Sequence, residues 1–404
     1  MKTLPLLTII ALLVSSAVSA SAPRRVSTSG GEVQRVTNDL CDSKLVFLGE
    51  DGGHGGGNAT VVRADLVVKL IQQCNFRHVV FESSIYEFED LKARYKAKTA
   101  TKADLYNAIG GLWSTTSELD SLVNFLHAKA LSRNIEISGM DGQSGSATGR
   151  YTHTELAAAL TRSLPLPRAR FCQATISRLN TWAFDEKNPY DDAFKQQIGN
   201  CMEEIDRKAQ AKASDYQQRL ISHSYTQHLK FTAANLFNQR DQLMHENLNT
   251  ILRHLPNSTK TIVWTANVHA MRTVLNGKKA SASYAVDLDA KTVKSIAVVA
   301  LSGSHGRYGQ KPTVIEPASQ ESLEASASTG KKFESDAVPG QNNPRLLYIP
   351  ASKLQSYNNL ESRVLGYSSY RRQEWSKLFD GIIVLEREQP PNFVRPPKPM
   401  QTGE

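Results

Sequence analysis

The chain has 404 residues, a formal net charge of +9 at pH 7 and four cysteines. Its lysines and arginines are scattered, with no basic block and no interleaved aromatic residues, so the composition does not favour a nucleic-acid partner. The length exceeds what a minimal domain needs and fits one elaborated α/β unit.

The first 20 residues have the layout of a signal peptide. They combine an early lysine with an apolar stretch and a small-residue ending, and the stretch is short for a membrane span, which needs about 20 apolar residues. Residues 21–40, rich in Ser, Arg and Thr, are interpreted as a leader. We therefore expect a secreted or periplasmic protein without stable membrane insertion after signal removal, and no feature indicates an oligomeric state.

The four cysteines predict two disulfide bonds. An even number of cysteines in an exported chain is typical of disulfides, and three pairings are open. Cys41 precedes a predicted strand and Cys74 closes the helix that returns antiparallel to it, so these two can meet. Cys172 and Cys201 would then pair, and the alternative is four buried free thiols.

The clearest predicted unit is strand, helix, strand. Residues 45–48 form a buried strand, the run LGEDGGHGGG a loop, residues 59–73 a helix, and residues 78–81 a second strand that ends at Glu82. This order implies a right-handed parallel crossover.

The pattern repeats along the chain with longer helical segments. A helix at 116–133 leads to a strand at 135–140, residues 152–253 are largely helical, and strands follow at 259–264, 295–301 and 381–385. We predict one α/β domain over 41–389, with a mainly parallel central sheet flanked by helices and an antiparallel helical pair inserted at about 170–235. The Ser-, Ala-, Gly-, Lys- and Pro-rich composition of residues 318–345 predicts a mobile loop. The prolines of residues 390–404 predict an irregular tail.

Polar residues recur where the predicted strands end. Glu50, Glu82, Asp141 and the pair Asn267 and His269 each follow an apolar strand. Ligands bind outside the carboxyl ends of parallel strands, so the set predicts one shared site. For any single acid, the alternative is capping of the next helix.

His54 is the candidate general base. An imidazole with a pKa of about 6.5 accepts a proton near neutral pH, and carboxylates at Glu50 and Glu82 would orient it. Arg63 follows near the start of the next helix and would stabilise developing negative charge. A solvated surface arginine is the alternative.

Other chemistries have weaker signals. Glu50, His54, Glu82 and His269 are also ligand types for zinc or manganese, but no HExxH helix is present, so we expect no cofactor and keep a divalent metal as the alternative. Residues 302–304 (Ser-Gly-Ser) do not form a nucleophile elbow, and the glycine loop lacks the lysine of a phosphate-binding loop.

Five segments in order resemble the erythromycin esterase family. They are LGEDGGHGGGNATVVRADLVVKLI with FRHVVFESS, DLYNAIGGLWSTTSELDSLVNFLHAKA with ISGMDGQ, RDQLMHENL, VWTANVHAMR and FDGIIVLEREQP. Order and spacing agree from about residue 45 to 389, outside the helical insertion and the loop at 318–345.

The resemblance implies metal-independent hydrolysis of a small-molecule ester or lactone, as in macrolactone opening. By position, His54 would be the base that activates water, Arg63 and Glu82 its partners, and His269 would lie across the cleft. Asp141, Arg240 and Glu246 fall in matching motifs as possible further site residues.

Two departures from the family pattern matter. The family places its first acid three residues before the histidine; Asp51 has that interval, whereas Glu50 stands four residues before His54. Ala266 stands where the family commonly has a second histidine, so hydrolysis of macrolides in particular is less expected than hydrolysis itself. The alternatives are a non-catalytic envelope protein that binds a haem-like or polyanionic ligand, and a metal-dependent hydrolase of peptides or other amides.

Overall fold

The computed structural model describes residues 31–144, 149–212, 215–275, 278–283, 295–329 and 344–394. The predicted signal peptide, residues 21–30 of the predicted leader and residues 395–404 of the predicted tail lie outside this part of the chain. Within it, no helix is both long and apolar enough to cross a membrane.

A seven-stranded sheet with the order β3-β2-β4-β1-β5-β11-β8 lies at the centre of the fold. All neighbouring strands are parallel except β8, which runs antiparallel to β11 at one edge. This confirms the predicted α/β class with a mainly parallel sheet. The strands are β1 (Leu45–Leu48), β2 (Phe76–Ser84), β3 (Glu136–Asp141), β4 (Lys260–Trp264), β5 (Ile296–Gly303), β6 (Gly306–Tyr308), β7 (Thr313–Ile315), β8 (Leu346–Pro350), β9 (Glu361–Ser362), β10 (Arg371–Arg372) and β11 (Gly381–Leu385).

Helices cover both faces of the sheet and form a separate bundle beside it. They are α1 (Glu32–Leu40), α2 (Gly57–Cys74), α3 (Ile85–Ala97), α4 (Lys102–Ile109), α5 (Asp120–Leu131), α6 (Arg150–Thr154), α7 (Leu156–Thr161), α8 (Leu166–Asn180), α9 (Asp192–Gln210), α10 (Tyr216–His228), α11 (Leu236–Leu252), α12 (Asn267–Ala270), α13 (Leu323–Ser328), α14 (Ala351–Leu354) and α15 (Trp375–Leu378). Short 3₁₀ turns lie at Ser117–Leu119, Ala233–Asn235 and Gln355–Tyr357.

Strand β1 is buried on both sides because it lies in the middle of the sheet. Val46 and Leu48 contribute to the core under α2 and α5, whereas Leu45 and Phe47 contribute to the core under α11. Burying each such side chain stabilises the fold by about 1.5–3 kcal/mol. A strand covered on both faces needs a continuous apolar run, which is why LVFL was recognisable.

The predicted insertion contains three helices, α8, α9 and α10, so the prediction of an antiparallel pair was wrong. They pack with α7 around their own core, which includes Ile176, Ile198, Ile205 and Tyr225. The sequence just before α10 has no glycine or proline to mark the start of a helix. The N-cap is Asp215, whose side chain accepts from the backbone N–H of Gln218.

The interpretation of residues 21–40 as a leader was wrong from residue 32 onward. Helix α1 packs against α2 and β8 and buries Val36 and Leu40. The side chain of Glu32, at the start of this helix, accepts the backbone N–H of Tyr348 at 2.9 Å. Its apolar residues have helical spacing, but the polar composition around them concealed it.

Several further elements were not predicted, among them one helix and one strand of the main sheet. Helix α13 lies inside the segment interpreted as a mobile loop, and its N-cap Ser322 accepts from the Ala325 backbone N–H. Strand β8 ends in a proline, which is tolerated at the sheet edge that it occupies. The described part of the tail, residues 390–394, contains no helix or strand.

The four cysteines form the two predicted pairs. The Cα atoms of Cys41 and Cys74 are 4.9 Å apart, and those of Cys172 and Cys201 are 5.6 Å apart. The first pair ties α1 to the end of α2, and the second ties α8 to α9 inside the insertion. Such pairs are compatible with an extracellular location.

We predict that replacing both Cys172 and Cys201 by serine lowers the free energy of unfolding by about 2–4 kcal/mol, because the cross-link restricts the unfolded chain. Urea unfolding of the variant and of wild-type protein measures this difference. An unchanged unfolding midpoint, or free thiols at these positions in the native wild-type protein, would contradict the assignment.

Candidate active site

The loop between β1 and α2 presents His54 at the carboxyl end of the sheet. His54 has a φ of 50°, in the left-handed region that non-glycine residues rarely adopt. Next to it, a Cβ on Gly55 would lie 2.5 Å from the backbone of Gly309, whose N–H donates to the Gly55 carbonyl. Glycine is therefore required where this loop contacts the turn between β6 and β7.

Glu50 is the acid that contacts His54. The distance from its Oε1 to His54 Nδ1 is 3.1 Å, and the Trp113 indole N–H also donates to Oε1. The Trp113 ring meets the imidazole edge-on with centroids 5.1 Å apart. The imidazole is thereby fixed on two sides, and its side chain is 13% exposed.

Arg63 supports Glu50 from inside the protein. Its Nη2 lies 2.5 Å from Glu50 Oε2, and its guanidinium lies 3.7 Å from the centre of the Trp264 ring. Nη1 donates to the carbonyl of Thr265 at 3.3 Å. Both charged side chains are fully buried, so each depends on the other for compensation.

The charges of this group shift the pKa values of Glu50 and His54 in opposite directions. Burial alone would raise the pKa of Glu50, but Arg63 and the hydrogen bond with His54 hold it below its ordinary value. Burial alone would lower the pKa of His54, but the hydrogen bond and charge of Glu50 raise it above the usual value, with help from Glu82.

The carboxylate of Asp51 accepts from backbone N–H groups and makes no hydrogen bond with His54 in the described residues. Its Oδ1 accepts the Tyr367 backbone N–H at 2.8 Å, and its Oδ2 accepts the Gly53 N–H at 2.9 Å. Burial raises the pKa of this carboxyl. Glu50 is therefore the acid that contacts the imidazole, whereas Asp51 holds the backbone of the loop through its hydrogen bonds.

A second charged group is centred on Arg240 of α11. Its guanidinium bonds Asp141 Oδ2 at 2.7 Å, Glu82 Oε1 at 2.8 Å and His269 Nε2 at 3.0 Å. His269 Nδ1 lies 2.8 Å from Asp241 Oδ2. Because a guanidinium only donates, Nε2 accepts from Arg240 and the Nδ1–H donates to Asp241 when the ring is neutral.

Glu82 lies between the two charged groups. Its Oε2 accepts from the Thr265 hydroxyl at 2.7 Å and from the Ala266 backbone N–H at 2.9 Å, and its Oε1 is 3.4 Å from His269. Burial would raise its pKa, but His269, Arg240 and His54 hold the pKa well below the ordinary value. Glu82 is thus an anion that acts on both histidines.

The two charged groups together contain more carboxylates than guanidinium groups. Four carboxylates and two arginines give a formal charge of −2 while both imidazoles are neutral. Protonation of either imidazole is favoured accordingly: burial lowers the pKa of His269, but Glu82 and Asp241 raise it above its usual value. The ion-paired acids are Glu50, Glu82, Asp141 and Asp241, and the arginines are Arg63 and Arg240.

An open cavity of about 510 Å³ adjoins the second group. Its walls include Glu82, Asp141 and Arg240, together with His228 and the turn at residues 109–112. It is large enough for part of a small organic molecule and gives the charged residues access to solvent.

Two predicted site residues lie elsewhere. Asn267 ties the end of β4 to β5, since its side chain donates to the Leu301 carbonyl at 2.8 Å and accepts the Leu301 N–H at 3.3 Å. Glu246 is half-buried on α11 and bonds Gln242 at 2.9 Å and His223 at 3.5 Å. The structure does not bring Glu246 into contact with the residues around Glu82.

The described residues contain neither an exposed nucleophile at Ser302 nor a group of side chains arranged to bind a metal ion. Ser302 is fully buried and its hydroxyl donates to Glu324 at 2.6 Å. Within the described ranges, no group of three or more His, Cys, Asp or Glu side chains is arranged to hold a metal ion. The predicted metal-ligand types Glu50, His54, Glu82 and His269 therefore do not form such a group.

Three residues in contact with the site were not singled out from the sequence. Trp113 and Asp241 each lie within a segment that resembled the family, so the motifs contained them without indicating a role. Tyr367 lies outside those segments, and nothing local in the sequence marks it. Its contact with Asp51 spans 316 residues.

We predict that Glu50→Gln lowers the pKa of His54, because only Glu82 is then left to oppose burial and the charge of Arg63. Asp51→Asn should cause a smaller shift. NMR titration of the His54 imidazole measures both, and circular dichroism checks folding, since Arg63 loses its anion in the first variant. A larger shift in Asp51→Asn would reverse the assignment of the acid.

Known proteins share the fold of this chain, and a family profile matches its sequence. A sequence profile of the erythromycin esterase family matches residues 71–387. A Bacillus cereus protein is 13% identical, with a TM-score of 0.66 over 90% of this chain and 93% of that one. A succinoglycan biosynthesis protein is 11% identical, with a TM-score of 0.67 over 89% and 92%.

A mutant of the erythromycin esterase EreC in its open conformation is 13% identical, with a TM-score of 0.66 over 89% of this chain and 95% of that one. No curated protein sequence matches the chain. Since the profile covers well over half of the residues, the chain belongs to the erythromycin esterase family.

Proposed function

We propose that this protein is a secreted or periplasmic hydrolase that cleaves an ester or lactone of a small molecule with water activated by His54 and without a metal ion. The single observation that carries the proposal is the orientation of His54. Its Nδ1 lies 3.1 Å from the buried, ionised Glu50. Family membership and fold suggest a hydrolase of this type.

The contact with Glu50 assigns the tautomer of His54. A carboxylate accepts the proton on Nδ1, so the lone pair of the neutral ring is on Nε2. Nε2 has no hydrogen-bond partner among the described residues. It would take a proton from water as the water attacks the ester carbonyl, and Glu50 would stabilise the resulting imidazolium.

Arg240 is the group proposed to stabilise the developing negative charge. Arg240 lines the cavity and is 20% exposed, whereas Arg63 is fully buried beneath Glu50. A preformed guanidinium facing the cavity would stabilise the tetrahedral oxyanion. Arg63, which the sequence suggested for this role, would instead hold Glu50 in its ionised form.

The substrate proposed is a small-molecule ester or lactone, and the family suggests a macrolide. Ala266 stands where the family commonly has a second histidine, and its methyl side chain cannot donate a proton. Only its backbone N–H is used, as a donor to Glu82. The proposed location rests on the signal-like residues 1–20 and on the two cysteine pairs.

We predict that His54→Ala lowers kcat for an activated ester by about 10²–10⁴-fold, the usual contribution of a general base. His127→Ala is the matched control, because His127 bonds only Tyr95 among the described residues and lies on α5. Unchanged turnover in a folded His54→Ala variant rejects the proposal. Loss of turnover with a chelator would indicate a metal-dependent hydrolase, and binding without turnover an envelope ligand-binding protein.

The pH dependence follows from the raised pKa of His54. A base must be unprotonated, so activity should be low below that pKa and rise as the pH increases through it. We therefore expect the acid limb of the kcat/KM profile to have its midpoint above about 6.5. The profile measured from pH 5 to 9 checks this, and a midpoint clearly below that value would contradict His54 as the base.

A further inference from the structure

Helix α2, which carries Arg63, begins without a cap of its own. Its N-cap is Gly56, which has no side chain, and the first turn contains no acid. The missing acceptor comes from Glu388, 330 residues away in sequence, whose Oε1 accepts the backbone N–H of Asn58 at 2.8 Å and that of Ala59 at 3.4 Å. A carboxylate at this end of a helix is stabilised by the free N–H groups and the helix dipole.

The same carboxylate reaches the other end of the loop through Tyr367. The Tyr367 hydroxyl donates to Glu388 Oε2 at 3.0 Å, and the Tyr367 backbone N–H donates to Asp51. The loop that presents His54 is therefore bound before the histidine at Asp51 and after it at Asn58. Glu388 takes part in both attachments, directly at Asn58 and through Tyr367 at Asp51.

Close approaches from two sides fix Glu388 in place. A Cβ on Gly56 would lie 2.5 Å from Glu388 Oε2, and one on Gly306 would lie 2.0 Å from the Glu388 carbonyl oxygen. Gly306 also has a φ of +129°, which favours glycine. Glu388 is fully buried, so its side chain has no route to a substrate.

The charged and titratable groups around Glu388 are few. Arg63 lies one turn further along α2 and interacts with its charge, and Tyr367 bonds it from the opposite side. Burial raises the pKa of Glu388 to about 7, while its N–H donors and the Tyr367 hydroxyl act to lower it.

We propose that Glu388 is a positioning residue for His54, which holds the loop at residues 49–57 by capping α2 and by fixing Tyr367 on Asp51. This inference rests on the proposed function of His54 as the base. Glu388 itself does not touch the substrate. Its effect on turnover comes through the geometry of the imidazole, where a displacement of about 1 Å can cost up to about 100-fold in rate.

The test compares Glu388→Ala, Glu388→Gln and Glu388→Asp in the full chain. Alanine removes the cap, and aspartate withdraws it from Asn58, whereas glutamine keeps an acceptor for the same N–H groups. We expect alanine and aspartate to lower kcat for an activated ester about tenfold or more with KM within about twofold. Glutamine should restore most of kcat.

Glu87 provides the matched structural control. Like Glu388 it is a buried carboxylate that caps a helix, since it accepts the backbone N–H groups of Tyr151 and Thr152 at the start of α6. Glu87→Ala should lower the thermal midpoint and leave kcat unchanged. If Glu388→Ala and Glu388→Asp also lower only the thermal midpoint, or if glutamine fails to restore kcat, the positioning role is rejected.

A second readout separates this inference from the proposed function. Amide hydrogen exchange at Asn58 and Ala59 and the His54 imidazole NMR signal need no turnover. Faster exchange and a shifted signal in Glu388→Asp, but not in Glu87→Ala, support the positioning role even if no ester is hydrolysed. Unchanged exchange and an unchanged signal overturn it, whatever the wild-type activity. If Glu388→Ala does not fold, the aspartate and glutamine variants decide.

Discussion

The buried ion pair between Glu50 and Arg63 is the interaction on which the rest of the site depends. Removing two charges from water is costly, and the cost is offset only when both groups have good partners. Arg63 finds its partners in Glu50, the Trp264 ring and a backbone carbonyl. Glu50 can then remain ionised at the end of β1 and hold His54 by Nδ1.

In the second charged group, too, an arginine compensates nearby carboxylates, but this arginine is partly exposed to solvent. Arg240 is shared between Glu82, Asp141 and His269, and each of these follows or ends a different parallel strand. Parallel strands bring their carboxyl ends to one edge, so residues far apart in sequence become neighbours there. The excess of carboxylates over arginines raises the pKa of both histidines.

The sequence predicted those parts of the molecule that depend on local patterns. The buried strand 45–48, the glycine loop and the polar residues at the strand ends were recognisable because each needs a particular residue type in place. Contacts such as Tyr367 with Asp51, or Glu388 with Asn58, depend on the folded path of the chain and leave no local signal. Asp51 has the interval expected from the family, yet Glu50, four residues before His54, is the acid that contacts the imidazole, in a loop where His54 adopts a left-handed backbone.

In the proposed mechanism, water activated by His54 attacks the ester carbonyl. The most direct measurement is a crystal structure of the His54→Ala variant soaked with an ester or lactone that the wild-type protein hydrolyses. We expect an uncleaved substrate whose carbonyl carbon faces the position of the missing imidazole, with its oxygen towards Arg240. A cleaved product, or a substrate whose carbonyl lies away from both residues, would contradict it.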